Sequence, residues 1–586
     1  MANWIMKAKK ADFKGLSATL GVDQVIVRLM VNRGLESEED MRVFLNPDLK
    51  HMHSPYLLKD VELACEILMD AIDEGIPMRI IGDYDIDGIM STYILHQGLL
   101  EAGAIVDYAI PHRIEDGYGV NPDMVQRAYD EGIGLIITCD NGIAAADAIK
   151  LAKELGMIFI VTDHHQVPYE LVEEEKVYKL PPADAVVDPQ RVDCQYPFKS
   201  ICGAQVAWKL IQVLYDMLGM DPEDSKKFLQ FAAFAAIGDI MELKDENRDI
   251  VYFGLQALEH TDNPGMRALI ARCQLIDKAL TAYHIGFVLG PCMNASGRLD
   301  TAARALELLE ETNPDKAIAM ADELVTLNEQ RKALTVKGVD EALELIENSA
   351  IKNDRVLVVY MPSLHESLAG IVAGRIKEAY YRPTIVLTDG EEGVKGSARS
   401  IEAYNMFEEL NKVADIFTKF GGHPMAAGLS LPTTKVDELR TRLNELCTLS
   451  AEDLQEVVRL DMPMPLSYIS EKLVDELNLL EPFGNGNSKP VFAIKDAMIT
   501  RVKYLGKDNQ YLKLSLCTET GASMDALCFS SATEFEKYLD EKYGEGTFEA
   551  VLFGRTGGVK LDLTYYPSIN EFRGTKTIQI IVDKYR

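Results

Sequence analysis

MRIIGDYDIDGIMSTYILHQGLLEAG, residues 78–103, sets an apolar run, an acidic turn and a helical stretch in direct succession. MRII (78–81) has the length and composition of a buried strand, and the helix opens after Gly88 and closes at Gly103. The same unit recurs downstream. Apolar runs IVDYAI (105–110), LIIT (135–138), MIFIVT (157–162) and DAVV (184–187) alternate with helical stretches over 121–131 and 143–155. Strands alternating with helices predict a parallel sheet with right-handed crossovers. In such a sheet the carboxyl ends of the strands share one edge, and ligands bind in the crevice outside it.

Outward from this unit the texture changes several times. Residues 1–60 read as short helices, and 200–350 carry almost no strand pattern but many i, i+3, i+4 apolar repeats. The stretch 315–347 reads as a long connecting helix or helical pair. Strand–helix alternation returns at RVLVVYM (355–361) and PTIVLTD (383–389) and marks a second α/β unit to about 450. Beyond 455, KPVFAIKDAMITRVKYL, YLKLSLC, SMDALCF and FEAVLFGR read as short strands of a small β-barrel.

Composition narrows the class. The 586-residue chain has 92 Asp+Glu against 60 Lys+Arg, a formal charge of −32, with 47% apolar and 26% charged residues. That is ordinary globular protein of about three or four domains. No run reaches the ~18 apolar residues of a membrane span, and MANWIMKAKKADF lacks the apolar core of a signal peptide, so a cytoplasmic protein is expected. Nine cysteines without a CxxC pair argue against a zinc ribbon or a disulfide framework. A charge of −32 argues at first against a polyanionic partner, because phosphates need cations.

The chemistry lies at the strand ends. MRII runs into Gly82-Asp83-Tyr84-Asp85-Ile86-Asp87-Gly88, LIIT into Cys139-Asp140-Asn141-Gly142, and MIFIVT into Asp163-His164-His165. An Asp before Gly at a strand end also caps helices and forms turns. Three strands of one sheet ending this way exceed what capping requires. Bare carboxylates gathered at one edge repel one another unless a cation sits between them. Oxygen and imidazole donors without thiolates favour Mg²⁺ or Mn²⁺ over zinc. Two such ions can position a water, acidify it and stabilise an in-line phosphoryl displacement.

GDYDIDG (82–88), PHRIEDGYG (111–119), CDNGIA (139–144) and DHH (163–165) resemble motifs I to IV of the DHH phosphoesterase superfamily. GDYDxDG resembles the RecJ branch, single-strand-specific 5′→3′ DNA exonucleases. AIGDIMEL (236–243), GPCMNASGR (290–298), HESLAGIVAGR (365–375), GSARS (396–400) and GGHPMAAG (421–428) resemble its later motifs, the last three in the DHHA1 half. LLEPFGNGN (479–487) looks like the lead-in to a RecJ-type OB domain. The resemblance implies a DHH parallel-sheet, Rossmann-like domain joined by a long helix to a DHHA1 α/β domain, with an OB-type β-barrel after it. The expected division is a helical extension (1–60), the DHH domain with a helical insert (61–312), the connecting helix (313–350), DHHA1 (351–450) and the OB domain (451–586).

By the same resemblance Asp85, Asp87, Asp140, His164 and Asp239 match metal ligands for two Mn²⁺ or Mg²⁺ ions, and His165 lies near the scissile phosphate. Asp83 is acidic in the same motif, as a ligand or as a hydrogen-bonding partner of one. The chain departs from the pattern at Asp188, where the family tends to carry Asn, and at Gln205, where it carries a small residue. Asp188 is therefore left out of the metal set, and Gln205 is read as structural.

Basic residues complete the expectation. Arg113 follows the strand at 105–110 and can fork onto a phosphate, or pair with Glu115 or Asp116. Arg298 closes GPCMNASGR, and the resemblance gives both arginines a substrate phosphate, a terminal 5′-phosphate being the natural candidate. Ser397, Arg399 and His423 sit in glycine-rich segments read as anion-binding turns or as plain capped turns, and His365 matches a further motif histidine. Net charge is +4 over 1–33, +1 over 351–400 and +2 over 491–520, each far above the chain average. The last stretch interleaves Phe492, Tyr504 and Tyr511 with Lys495, Arg501, Lys503, Lys507 and Lys513, a track for stacked bases or simply core aromatics beside solvated edges.

The function expected is a metal-dependent 5′→3′ exonuclease on single-stranded DNA in repair and recombination. Its expected partners are a 5′-phosphorylated strand and a helicase or single-strand-binding protein, with no membrane and a monomeric state. The alternatives are a phosphodiesterase of short oligoribonucleotides or cyclic dinucleotides, and a catalytically silent replication scaffold. The scaffold would be expected to lose ligands that this sequence keeps.

Overall fold

A computed structural model describes residues 3–113, 116–117, 119–172, 175–390, 393–517, 521, 523–555, 558–572 and 574–586. The chain divides into two compact units, Asp48–Leu454 and a second made of Met1–Pro47 together with Gln455–Arg586.

The first unit holds two sheets. Strands Met78–Ile81, Val106–Ala109, Leu135–Cys139, Ile158–Thr162 and Ala185–Val187 are all parallel, in the spatial order second, first, third, fourth, fifth. Each expected apolar run is a strand here, and Leu135–Cys139 is buried at every residue because helices cover both faces. One face packs on helices Ile86–Glu101 and Gly203–Met217, and the other on Pro122–Asp130 and Ala146–Glu154. Residues 188–356 contain no strand and end in the 34-residue helix Pro314–Glu347.

The second sheet pairs Leu357–Tyr360 and Thr384–Gly390 in parallel, then adds Gly393–Arg399, Ala426–Leu431 and Lys419–His423 antiparallel. This corrects the reading of GSARS as a turn, since it lies in a strand, whereas GGHPMAAG spans two strands and the tight turn at 424–425 that joins them. Their small residues serve close packing, since a Cβ on Gly396 would come within 2.4 Å of Leu387 Cδ2. A further pairing lies outside both sheets. Tyr169–Val172 and Glu175–Tyr178 form a two-stranded hairpin.

In the other unit, Phe492–Leu505, Tyr511–Cys517, Ser523–Cys528, Lys560–Phe572 and Thr575–Tyr585 build a six-stranded barrel sheet with Met462–Pro463. Phe492–Leu505 also pairs with Lys560–Phe572, which closes the sheet on itself. FEAVLFGR, expected as a strand, instead contains helix Thr547–Leu552, with Phe548 and Val551 facing the core at i, i+3. Residues 1–60 include a strand as well as helices, for Asn3–Met6 pairs in parallel with Val457–Leu460. Helix Gln24–Asn32 buries six of its nine side chains in the core shared with the barrel. Arg33 then donates to Asn487 Oδ1 (2.7 Å) and Ser488 O (2.6 Å), tying the EPFGNGN segment to this helix.

Candidate active site

The parallel order reverses between Met78–Ile81 and Leu135–Cys139, and the two acidic turns that follow these strands flank that switch point. Asp85 caps helix Ile86–Glu101, its Oδ1 accepting from Asp87 N (3.0 Å) and Gly88 N (3.2 Å). Asp87 is buried, and its two oxygens accept from Gly203 N (2.6 Å) and Ala204 N (2.7 Å), the first amides of helix Gly203–Met217. The positive end of that helix favours the ionised carboxylate. Glycine is needed at 203, because a Cβ there would stand 2.8 Å from Asp140 Cβ.

Asp140 sits in the left-handed region at φ 60°, and Ile240, the residue after Asp239, at φ 57°. A β-branched side chain held there costs about 1–3 kcal/mol, strain of a kind that gathers at functional sites. His164 Nε2 lies 3.0 Å from Asp140 Oδ1, 3.5 Å from Asp87 Oδ2 and 3.8 Å from Asp239 Oδ2. Four elements that are remote in sequence thus deliver the five expected ligands to one place.

These groups are poorly arranged without a cation. Burial, and then neighbouring Asp85, holds the Asp83 carboxyl well above the usual range; burial and Asp87 do the same at Asp140. Burial with Asp87 and Asp85 pushes Asp239 up to about 8. Asp83 Oδ1 is buried with no hydrogen-bond partner among the described residues. Burial also lowers the pKa of His164, leaving a neutral imidazole suited to ligation. Three overlapping sets bring ligand atoms within 4.8 Å of one another: Asp83, Asp85 and Asp140; Asp87, His164 and Asp239; and Asp140, His164 and His165. Hard oxygen donors with one or two imidazoles fit Mn²⁺ or Mg²⁺.

His165 is organised differently. Its Nδ1 stands 2.7 Å from Asp163 Oδ1, an oxygen that also accepts from His164 N (2.7 Å) and His165 N (3.2 Å). Asp163 Oδ2 accepts from Ile143 N (2.9 Å), so the buried carboxylate is fixed at both oxygens. Burial opposes charge on His165, but the Asp163 bond and charge outweigh it and raise the imidazole to about 9. Asp163 stands at one of the acidic strand ends marked in the sequence, without a ligand or catalytic role assigned to it there. A carboxylate before two histidines is the pattern that marks it.

Beside the acidic cluster lies a cationic one. Arg113 stacks over the Tyr84 ring at 4.6 Å, and Arg298 Nη1 donates to Ser367 O (2.8 Å) in the second α/β half. Burial and the neighbouring charges of Arg113, Arg331 and Arg399 lower the Arg298 guanidinium to about 10. Arg399 Nη1 donates to Ala398 O (2.8 Å) and lies 3.3 Å from Ser397 Oγ, both residues facing Gly370 at the start of helix Ala369–Tyr380. Arg331, on the long helix, joins this group without any mark in the sequence. Three guanidiniums thus crowd Arg298, and Arg113 also acts on Arg399, an arrangement whose charge suits an anion. Of the acids that could have paired with Arg113, Asp116 pairs with Arg127 (3.1 Å), and Glu115 lies outside the described residues.

The remaining candidates divide. His423 lines a cavity of about 500 Å³ together with Asn141, Asp163, His164, His165 and Gln190. His365 caps the turn at Glu366–Leu368, its Nδ1 2.7 Å from Ser367 Oγ, and so stands behind the carbonyl that receives Arg298. Arg501, Lys503 and Tyr504 are exposed on Phe492–Leu505 of the other unit, whereas Phe492 is core and Lys513 pairs with Asp525 (2.7 Å). Gln205 is structural, bonding Cys202 N (2.8 Å) and Asn247 Oδ1 (2.7 Å) in a buried network. Asp188 is buried and accepts from Gln190 N (2.7 Å).

The chain matches three family models in order: the DHH family N-terminal domain over 77–238, the DHHA1 domain over 353–449 and the RecJ OB domain over 460–584. It is 34% identical over 582 residues to the single-stranded-DNA-specific exonuclease RecJ of Bacillus subtilis (strain 168), covering 99% of this chain and 70% of that protein. It is 32% identical over 578 residues to the Escherichia coli (strain K12) protein of the same name, covering 95% and 94%. Among solved structures, RecJ of Thermus thermophilus in complex with Mn²⁺ superimposes with a TM-score of 0.81 at 26% identity, covering all of this chain and 79% of that one. The same protein with Mg²⁺ gives 0.75 at 25%, again over all of this chain and 78% of that one. An acidic cluster that demands divalent cations, three domains in RecJ order and identity sustained along the whole chain have one reading: this protein belongs to the RecJ family.

Proposed function

We propose that the chain shortens single-stranded DNA from its 5′ end, releasing mononucleotides and using two divalent ions, Mn²⁺ or Mg²⁺. Membership of the RecJ family makes it a metal-dependent exonuclease of single-stranded DNA in repair and recombination. Polarity, ion count and residue roles are the proposed part of this reading, and the site geometry supports them. The observation that carries the polarity is the adjacency of two opposite clusters, carboxylates suited to cations and guanidiniums suited to a terminal phosphate.

Asp85, Asp87, Asp140, His164 and Asp239 would hold the cations, with Asp83 completing the set around Asp85 and Asp140. When bound, such ions neutralise phosphate charge and acidify water. The residues themselves do the rest. Arg113, Arg298, Arg331 and Arg399, with Ser397, grip a terminal phosphate one nucleotide beyond the scissile bond and so select the end. His165, held in one orientation by Asp163, presents Nε2 as a proton donor to the leaving oxygen. His423 lines the cavity beside it, where the nucleotide being cut can lie, and His365 positions Ser367 and through it Arg298. On the barrel unit, Arg501, Lys503 and Tyr504 offer charge and a stacking face to the trailing strand. The strand is supplied by unwinding, so a helicase and a single-strand-binding protein are the expected partners. A site complete within one chain suits a monomer working in the cytoplasm.

Paired 5′-phosphate and 5′-hydroxyl oligonucleotides test this reading. The phosphate form should be cut faster, and Arg399→Ala should erase the preference by about 10- to 100-fold, as expected for lost charge-assisted hydrogen bonds. A preference that survives in Arg399→Ala, or equal cutting of RNA dinucleotides and long DNA, would overturn it.

A further inference from the structure

Cys273 caps the end of helix Pro264–Arg272, and Cys292 is the third residue of helix Gly290–Leu299, which carries Arg298. Their sulfurs are 3.9 Å apart. Cys292 is buried and Cys273 half-buried, so one thiol is shielded while the other meets solvent. Cys292 Sγ also receives a hydrogen bond from Asn328 Nδ2 (3.3 Å), and Asn328 Oδ1 in turn accepts from Arg331 Nε (3.1 Å). The thiol pair is therefore joined to the anion site twice, through the helix that bears Arg298 and through the Asn328–Arg331 bond.

We propose that Cys273 and Cys292 close into a reversible disulfide under peroxide oxidation, and that closing it loosens the grip of Arg298 and Arg331 on substrate phosphate. The oxidant is a hydroperoxide. The Cys273 thiol releases its proton, the thiolate sulfur of Cys273 attacks one oxygen of hydrogen peroxide, the O–O bond breaks, and the departing hydroxide takes up that proton as water, leaving a sulfenic acid on Cys273. The Cys292 sulfur then attacks Cys273 Sγ; the S–S bond forms, the S–O bond breaks, and hydroxide departs as water with the Cys292 proton. Two thiols lose two electrons and one peroxide is reduced to two waters. The Cys292 thiol hydrogen-bonding to Cys273, with Lys332 nearby, lowers Cys273 below an ordinary thiol, which favours it as the attacking group. A disulfide needs the sulfurs at about 2.05 Å, so they must close by nearly half their separation. That draws Cys292 away from Asn328, frees Asn328 from its sulfur partner and shifts the helix six residues before Arg298.

The inference uses the exonuclease reading only for its activity readout; the thiol chemistry is read separately by mass. Full-length protein is treated with hydrogen peroxide, alkylated under denaturing conditions, digested and analysed for the Cys273–Cys292 cross-linked peptide. In parallel, metal-dependent cutting of a 5′-phosphorylated strand is measured before and after dithiothreitol. The expected result is the cross-linked peptide, at least a tenfold loss of cutting that dithiothreitol reverses, and peroxide-insensitive activity in Cys273→Ser. Recovery of both thiols alkylated after peroxide would overturn the proposal. So would a formed disulfide with unchanged cutting and unchanged 5′-phosphate preference. If Cys273→Ser does not fold, the wild-type peptide and its dithiothreitol reversal decide alone.

Discussion

At the scale of single residues the site is a set of buried charges that need each other and a cation. Because Asp239 titrates near 8 in the free protein, it is largely protonated at neutral pH, and an arriving cation must displace that proton. Affinity for Mn²⁺ should therefore climb as pH rises toward about 8 and level off above it, with proton release on binding; titration calorimetry in buffers of different ionisation enthalpy reads both. An affinity that falls with rising pH would contradict the assignment. Asp163 makes a sharper case, because it holds His165 without being placed to ligate. Asp163→Asn keeps the shape but removes the charge, so kcat should fall about 10- to 100-fold while Mn²⁺ affinity changes less. The carboxylates and histidines were legible in the sequence because strand ends in a parallel sheet converge by topology. Arg331 was not. It sits mid-helix among ordinary surface charges, and only the packing of that helix beside Arg298 gives it a role.

Elements explain why those residues meet. The first amides of helix Gly203–Met217 hold Asp87, and Gly203 lets that helix end approach Asp140. Gly203→Val should therefore lower metal affinity and cutting together, with the barrel unit unchanged in its own unfolding. Helix Gln24–Asn32 has the opposite task, since Leu29 and Met30 are fully buried in the barrel core. Leu29→Ala should cost that unit about 2–5 kcal/mol, visible as a shifted unfolding transition, while the metal site in Asp48–Leu454 still binds Mn²⁺. The alternation of strand and helix over 78–187 was readable because both periods are clean there. Over 548–555 they are not: FEAVLFGR is apolar on both faces of a strand and along one face of a helix, and only tertiary packing of Phe548 and Val551 settles it. Glycine-rich GSARS looked like a turn because glycine marks turns, yet here glycine serves sheet packing against Leu387.

For the whole molecule, the charge of −32 no longer argues against nucleic acid. Five carboxylates are gathered where cations belong, and the cations proposed to meet DNA are few and local: four arginines beside the metal site, and Arg501 and Lys503 on the barrel. About six phosphate contacts on a single strand give a log–log salt slope near −4, measured by binding to inactive protein between roughly 50 and 200 mM salt. No helix among the described residues is long and apolar enough to cross a membrane. The central claim is that the acidic cluster cuts and the arginine cluster chooses the 5′ end. Single-stranded DNA labelled at either end and digested with Mn²⁺ tests it most directly, using wild type and Asp140→Ala side by side. The 5′ label should appear as mononucleotide from the first turnovers while 3′-labelled strands shorten progressively, and Asp140→Ala should lower both rates by about 10²–10³-fold or more while still binding the strand. Early release of the 3′ label, or Mn²⁺-dependent cutting retained by Asp140→Ala, would contradict it.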